Sequence, residues 1–177
     1  MRGDRRRRSA AAHRDIPHRR DVYGRKRGTM RHLVTEAREV AAQAHQGQVD
    51  KNGSPYIGHP GRVAGHVSRH AAPEDLEVAQ AVAWLHDVVE DTTVTLADLA
   101  RQFPSVVVAA VDAMTKRADE DRDAYYLRVR ANRIAQAVKQ ADLDDNTDPD
   151  RTARLDPATR QRLAEKYEHA RSVLAGH

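Results

Sequence analysis

The stretch Ala83 to Asp91, reading AWLHDVVED, most constrains what this chain can fold into, because four polar side chains sit in a run of Ala, Val, Trp and Leu. The apolar residues predict a buried helix, yet charged groups are rarely buried unless they are paired or bound to an ion. On a helix His86 and Asp87 lie about 100° apart, and both reach one point beside the axis. Glu90 follows His86 by four residues and Asp91 follows Asp87 by four, which puts a second polar pair one turn further along the same face. That face offers two metal ligands and two further carboxylates. A solvated face starting at His86 accounts for the same stretch without an ion, so partners elsewhere in the chain decide between the readings.

The surrounding pattern is helical. Leu33, Ala37, Val40, Ala41 and Ala44 recur at spacings of three and four and predict a helix ending near Gly47. QVDKNGSPYIGHP follows as an ordered, turn-rich loop, with His59 at the junction where Pro60 starts a second helix through Val63 and Val67. Pro73 opens a third helix that runs through the His-Asp stretch to Thr92. Thr95 and Asp98 form a capping box for a short helix to Phe103. The run Val106 to Val108 suits a strand by propensity, but no second strand pattern pairs with it, and VVVAAVDAMTK reads as helix. Asp121 to Asn146 reads as one long or two consecutive helices on which Tyr125 and Tyr126 cannot both face inward, closed by Asp148 and Pro149. Asp156 and Pro157 start the last helix. About seven or eight helices and no convincing sheet predict a single all-α domain over residues 29–177.

Charge separates that domain from what precedes it. Residues 1–28 hold eleven Lys or Arg against three Asp, a charge of +8, so the rest of a chain of net charge +4 is −4. The segment has few large apolar residues and reads as a disordered basic tail. It is either a non-essential extension or an arm that holds nucleic acid or another polyanion. The chain has no cysteine, which excludes disulfides, thiolate catalysis and cysteine zinc sites. With no run of about 18 apolar residues and no apolar signal core at its start, it reads as a soluble cytoplasmic protein.

Asp142 and Asn146 lie four apart at the end of a helix whose preceding residues are largely apolar, so both project from one face. A cation held by His59, His86, Asp87 and Asp142 would have two imidazoles and two carboxylates, a set that suits manganese, iron or zinc better than calcium or magnesium. Lys51 and Lys116 would offset phosphate charge in an otherwise acidic body.

AHQGQVDKNGSPYIGHP at 44–60, AWLHDVVEDT at 83–92, VDAMTK at 111–116 and VKQADLDDN at 138–146 resemble the HD-superfamily hydrolase domain of RelA/SpoT proteins, most closely its stand-alone small alarmone hydrolases. The resemblance covers residues 33–174 with the four motifs in order. It implies an all-helical HD-type fold, one manganese ion, and removal of the 3′-pyrophosphate of guanosine tetra- or pentaphosphate (ppGpp or pppGpp) by a metal-activated water, giving GDP or GTP and pyrophosphate. By position it makes His59, His86, Asp87 and Asp142 the metal ligands, gives Glu90 and Asp91 the water and proton-transfer step, and gives Asn146 a hold on the substrate.

Tyr167 and Arg171, one turn apart on the last helix, either reach phosphate oxygens or the ribose, or are a helix-surface hydrogen bond and a solvated charge. His45 orders the loop or hydrogen-bonds behind the ligands rather than binding metal, Trp84 is core, and His32, His66, His70, His169 and His177 are surface or satisfied core residues. Two departures from the resemblance bear on the substrate. Asp50 stands where the hydrolases carry a basic residue that stacks on the purine, and Asp144 and Asp145 are expected to make the mouth less welcoming to a highly charged nucleotide. An HD phosphohydrolase acting on another nucleotide or dinucleotide phosphate is therefore the alternative, and a non-catalytic nucleotide- or nucleic-acid-binding module a second.

Overall fold

The computed structural model describes residues 30–50 and 53–176. The expectations placed on the segment 1–28, on Lys51 and on His177 lie outside the described residues. In chain order the helices are α1 (Met30–Ala44), α2 (Gly58–His66), α3 (Leu76–Leu85), α4 (Val88–Asp91), α5 (Leu96–Ala100), α6 (Ser105–Met114), α7 (Arg122–Ala131), α8 (Arg133–Asn146), α9 (Pro149–Thr152) and α10 (Pro157–Ala175). Of these ten, α4 and α9 are single four-residue turns, and the other eight match the expected helix count among the described residues. The β pairing among the described residues is one isolated antiparallel bridge, Val49 with Pro55, so the fold is all-α as expected. No helix among the described residues is long and apolar enough to cross a membrane.

The core is built from small residues, and that decides the packing. Val78, Ala79, Ala81, Val82, Ala83 and Leu85 of α3 are all buried, and alanine at three of these positions lets α1, α2, α6 and α8 pack onto a single helix. Gly61 serves the same end, since a Cβ there would come within 3.0 Å of the Trp84 ring. Trp84 is half-buried against the core under the Arg38 guanidinium, 5.7 Å from the ring centroid, in the packing role expected of it. Leu33, Ala37 and Ala41 place the buried stripe of α1 on α3. Gly47 then turns the chain with a φ of 79°, a conformation a side chain would resist.

Caps set several boundaries. Thr95 and Asp98 exchange both bonds of the expected capping box, although α5 stops at Ala100 rather than Phe103. Val106 to Val108 are helical, since Pro104 starts α6 and Val107, Val111 and Met114 then share its buried face. Asn132 accepts from the backbone N–H of Ile134 and Ala135, so α7 and α8 are two helices rather than one. Asp156 caps α10 by accepting from Thr159 N at 3.0 Å. Asp148 does not simply close α8 but caps α9, accepting from Asp150 N and Arg151 N.

Three expectations need correction. The third helix begins at Leu76, after a turn, not at Pro73. The helix expected to run on to Thr92 breaks at His86 and Asp87, which keep right-handed backbone angles but sit in a turn between α3 and α4. Tyr125 and Tyr126 both face inward, at 6% and 3% exposure. The reason is that α7 is flanked on two sides: Tyr125 donates its hydroxyl to Met114 O of α6 at 2.9 Å, while the Tyr126 ring lies 6.3 Å from His169 of α10. Neighbouring residues about 100° apart are both covered when helices pack on both flanks.

Candidate active site

Three elements converge on one point: His59 comes from the first turn of α2, His86 and Asp87 from the turn between α3 and α4, and Asp142 from α8. His86 Nε2 lies 2.9 Å from Asp87 Oδ2 and 3.9 Å from Asp142 Oδ1, and His59 Nε2 lies 3.3 Å from Asp142 Oδ1 and 3.6 Å from Asp87 Oδ2. Donor atoms of His59, His86 and Asp87 all fall within 4.8 Å of one another, a spacing that could hold a metal ion.

The hydrogen bonds behind the imidazoles test whether a cation fits. His86 Nδ1 lies 2.8 Å from Ala83 O, and because a carbonyl only accepts, the proton sits on Nδ1. Nε2 is therefore the lone-pair nitrogen, and it is buried without a hydrogen-bond partner. His59 repeats the arrangement, with Nδ1 against Asp145 Oδ2 at 2.8 Å. Two lone pairs facing two carboxylates repel unless positive charge lies between them, and either a divalent cation or protons on the rings supply it. Where protons do so, the two rings stay charged. Burial pulls His59 down, but hydrogen bonds to Asp142 and Asp145 outweigh it and leave the ring raised to about 9. His86 is also raised, with burial again opposing and the Asp87 charge prevailing. Burial pushes Asp87 up, and the facing imidazoles bring it down to about 2. The donor set thus fits a divalent cation.

Further residues hold the carboxylates in place. Tyr56 donates its hydroxyl to Asp87 Oδ2. Lys139 donates to Asp142 Oδ2 at 2.8 Å, and Asn146 donates to Asp142 Oδ1 at 2.6 Å. Burial pushes Asp142 up, but the Lys139 ammonium and the imidazoles hold it well below the usual carboxylate range. Asn146, expected to hold substrate, lines the cavity while holding Asp142. Tyr56 and Lys139 were not assigned from the sequence, although both lie inside the quoted motifs, each three residues before a proposed ligand.

Tyr56, His59, Asp87, Lys139, Asp142 and Asn146 line a cavity of about 640 Å³, with His86 buried behind them. Glu90, Asp91, Lys116, Asn146 and Tyr167 all line it, so these residues, expected to act on substrate, reach one space. Glu90 Oε2 accepts from the backbone N–H of Lys116 at 2.9 Å. Lost solvation and then the Asp87 charge raise the Asp91 carboxyl. Arg122, Lys139, Arg151 and Lys166 also line the cavity and were not singled out from the sequence. Arg151 lies on α9, a turn with no apolar period to announce it.

Asp144 and Asp145 do not make the mouth more negative, contrary to expectation. Asp145 is 1% exposed and bound by Arg62, while Asp144 is bound by His70 at 2.7 Å and Arg171 at 3.1 Å, so each carboxylate is neutralised where it lies. Arg171 consequently ties α10 to α8 and is absent from the cavity wall. His45 orders the loop as expected, bonding Gln48, which in turn donates to Asp91 O at 3.1 Å. Asp50 lines the cavity and accepts from Arg151 Nη2 at 3.5 Å.

An all-α domain that gathers two histidines and two aspartates at one cavity defines a helical, divalent-metal hydrolase. Residues 37–175 match the family model described as HD domain, and the chain belongs to that family. Among curated proteins it is 32% identical over 151 residues to the guanosine-3′,5′-bis(diphosphate) 3′-pyrophosphohydrolase MESH1 of Danio rerio, a match covering 81% of this chain and 83% of that protein. A guanosine-3′,5′-bis(diphosphate) 3′-pyrophosphohydrolase of Vibrio cholerae is 47% identical over 77 residues, 44% of this chain but 10% of the longer protein. A solved structure described as a metazoan ortholog of SpoT that hydrolyzes ppGpp has the same fold, with a TM-score of 0.65 and 23% identity over 81% of this chain and 86% of that one.

Proposed function

We propose that this protein removes the 3′-pyrophosphate of guanosine tetra- or pentaphosphate, giving GDP or GTP and pyrophosphate. The observation that carries the reading is the buried, unpartnered Nε2 of His86, which faces two carboxylates on the floor of a cavity walled by five lysines and arginines. The activity named for the Danio rerio relative, which aligns along most of both chains, supports the same substrate.

His59, His86, Asp87 and Asp142 would hold the cation, and their mixed nitrogen and oxygen set favours manganese over calcium or magnesium. A divalent cation held there supplies Lewis acidity at a phosphoryl oxygen and lowers the pKa of water. The protein's own residues do the rest. A water oxygen bonds to the phosphorus attached at the ribose 3′ oxygen, the bond from that phosphorus to the 3′ oxygen breaks, and the 3′ oxygen leaves and takes a proton. Glu90 and Asp91, on the turn that follows the His-Asp pair, accept the proton that the water gives up. Lys116, Arg122, Lys139, Arg151 and Lys166 offset the phosphate charge, while Asn146 and Tyr167 orient the substrate in the wall. Residues 29–177 carry this activity, and the basic segment 1–28 is dispensable for it.

Turnover of guanosine tetraphosphate by metal-stripped protein resupplied with manganese tests the reading, with pyrophosphate and orthophosphate followed separately. Manganese-dependent pyrophosphate release with GDP as co-product is the expected result. Orthophosphate alone, or no turnover by protein that binds manganese stoichiometrically, would favour the alternative of another nucleotide phosphate, a reading to which the Asp50 carboxylate in the wall lends weight.

A further inference from the structure

His59 presents one ring nitrogen to the cation site and the other to a carboxylate that the reaction does not use. Asp145 Oδ2 lies 2.8 Å from His59 Nδ1, and the aspartate is buried at 1% exposure. Arg62, one turn beyond His59 on α2, grips that carboxylate from the far side, donating Nε to Oδ1 at 2.6 Å and Nη2 to Oδ2 at 3.2 Å. Arg151 Nε lies 3.7 Å from the same Oδ2 and brings a second positive charge from α9.

This arrangement fixes what a neutral imidazole leaves open. The ring has one proton and one lone pair, and either nitrogen can carry either. A carboxylate against Nδ1 keeps the proton there, which turns the Nε2 lone pair toward Asp142 and Asp87, and a charged acceptor makes that lone pair a stronger donor to a metal. His86 obtains its orientation from a backbone carbonyl instead, so the two rings are oriented by different means. The two bonds from Arg62 fix the plane of the Asp145 carboxylate, and thereby the plane of the ring.

We propose that Asp145 is the positioning residue for His59, fixing its tautomer and ring orientation for the cation, with Arg62 holding the Asp145 carboxylate in place. The proposal rests on the reading of His59 as a cation ligand. It differs from a plain ion pair joining α8 to α2, which would stabilise the fold and leave metal affinity alone.

Asp144 gives an internal control: it is the preceding residue of α8, carries the same charge, and spends it on His70 and Arg171. The experiment is calorimetric titration of manganese into the metal-stripped full chain and its Asp145→Ala, Asp145→Asn and Asp144→Asn variants, with the melting temperature of each metal-free protein. Asp145→Ala is expected to weaken manganese binding about 10- to 100-fold. Asp145→Asn keeps an amide oxygen to accept from Nδ1 and should lose less, while Asp144→Asn should bind as the unaltered protein does. Unchanged affinity in Asp145→Ala overturns the proposal, as does an equal loss in Asp144→Asn, which would make the effect one of general charge. If Asp145→Ala does not fold, Asp145→Asn decides, and unchanged affinity there is the overturning result. An unaltered protein that binds no manganese would instead remove the metal reading, and this proposal with it.

Discussion

Glu90 of α4 is bonded to the backbone of Lys116, its Oε2 accepting from the Lys116 N–H at 2.9 Å. The carboxylate proposed to take the water's proton therefore also anchors the segment that brings a lysine to the cavity. Glu90→Gln separates the two tasks, because the amide oxygen still accepts from Lys116 N while losing its proton affinity. Turnover should fall about 10²- to 10⁴-fold, with manganese stoichiometry and melting temperature near those of the unaltered protein. A loss of metal together with activity would put Glu90 among the ligands instead.

Asp142 is bound to the partly buried Lys139 at 2.8 Å while facing both imidazoles. Burial opposes the Lys139 charge, and the Asp142 carboxylate outweighs it and keeps the ammonium charged. Asp142→Ala should abolish manganese binding and turnover together. It should also destabilise the metal-free protein, because it leaves the partly buried Lys139 ammonium without its carboxylate. His86→Ala should abolish metal and turnover as well, yet leave Lys139 paired. Denaturant unfolding of the two metal-free variants checks the difference, and equal stability would mean that Lys139 finds another partner.

Tyr56 donates its hydroxyl to the same Asp87 oxygen that faces His59 and His86. Burial, then the Asp87 charge, raises the phenol pKa, so the group remains a donor at any working pH. Tyr56→Phe should weaken manganese binding about tenfold or more while leaving the fold intact. Manganese titration of the variant reads this directly, and unchanged affinity would assign Tyr56 to packing against His45, 4.8 Å away between ring centroids.

What could be read from the residues was what depends on local spacing. The stripe of α1, the Thr95 and Asp98 box, the cap at Asp156, and the pairing of Asp142 with Asn146 all follow from offsets of three and four. The convergence of His59, His86, Asp87 and Asp142 could be anticipated from their shared donor chemistry and from the resemblance of the motifs that hold them, taken in order, to a known family. Contacts made across helices were not legible. The break after Leu85 leaves the apolar period intact, and α9 has no period at all. Asp144 and Asp145 looked like free charge because their partners, His70, Arg171 and Arg62, lie 74, 27 and 83 residues away. Asp50 likewise meets its guanidinium 101 residues along the chain.

Glu120 and Arg128 link the segment after α6 to α7, and their pairing makes part of the stability dependent on pH. Arg128 donates Nε to Glu120 Oε1 at 2.8 Å and Nη2 to Oε2 at 2.5 Å, and also donates to Asp112 O and Thr115 O at the end of α6. The Arg128 hydrogen bonds lower the Glu120 carboxyl from 4.5 to about 2, against a smaller opposing effect of lost solvation. A carboxyl lowered in the folded state stabilises the protein fully above its unfolded value and loses that contribution as pH falls through the folded one. The melting temperature of the unaltered protein should therefore exceed that of Glu120→Gln at neutral pH. The gap should narrow as pH drops from about 4.5 and close near pH 2. A gap that persists unchanged to the acid end would mean that Glu120 acts through its shape and neutral hydrogen bonds, not its charge. Because Lys116 lies between Thr115 and Glu120, loss of this clasp should also loosen the anchor on Glu90, so kcat of Glu120→Gln should fall while its manganese affinity holds.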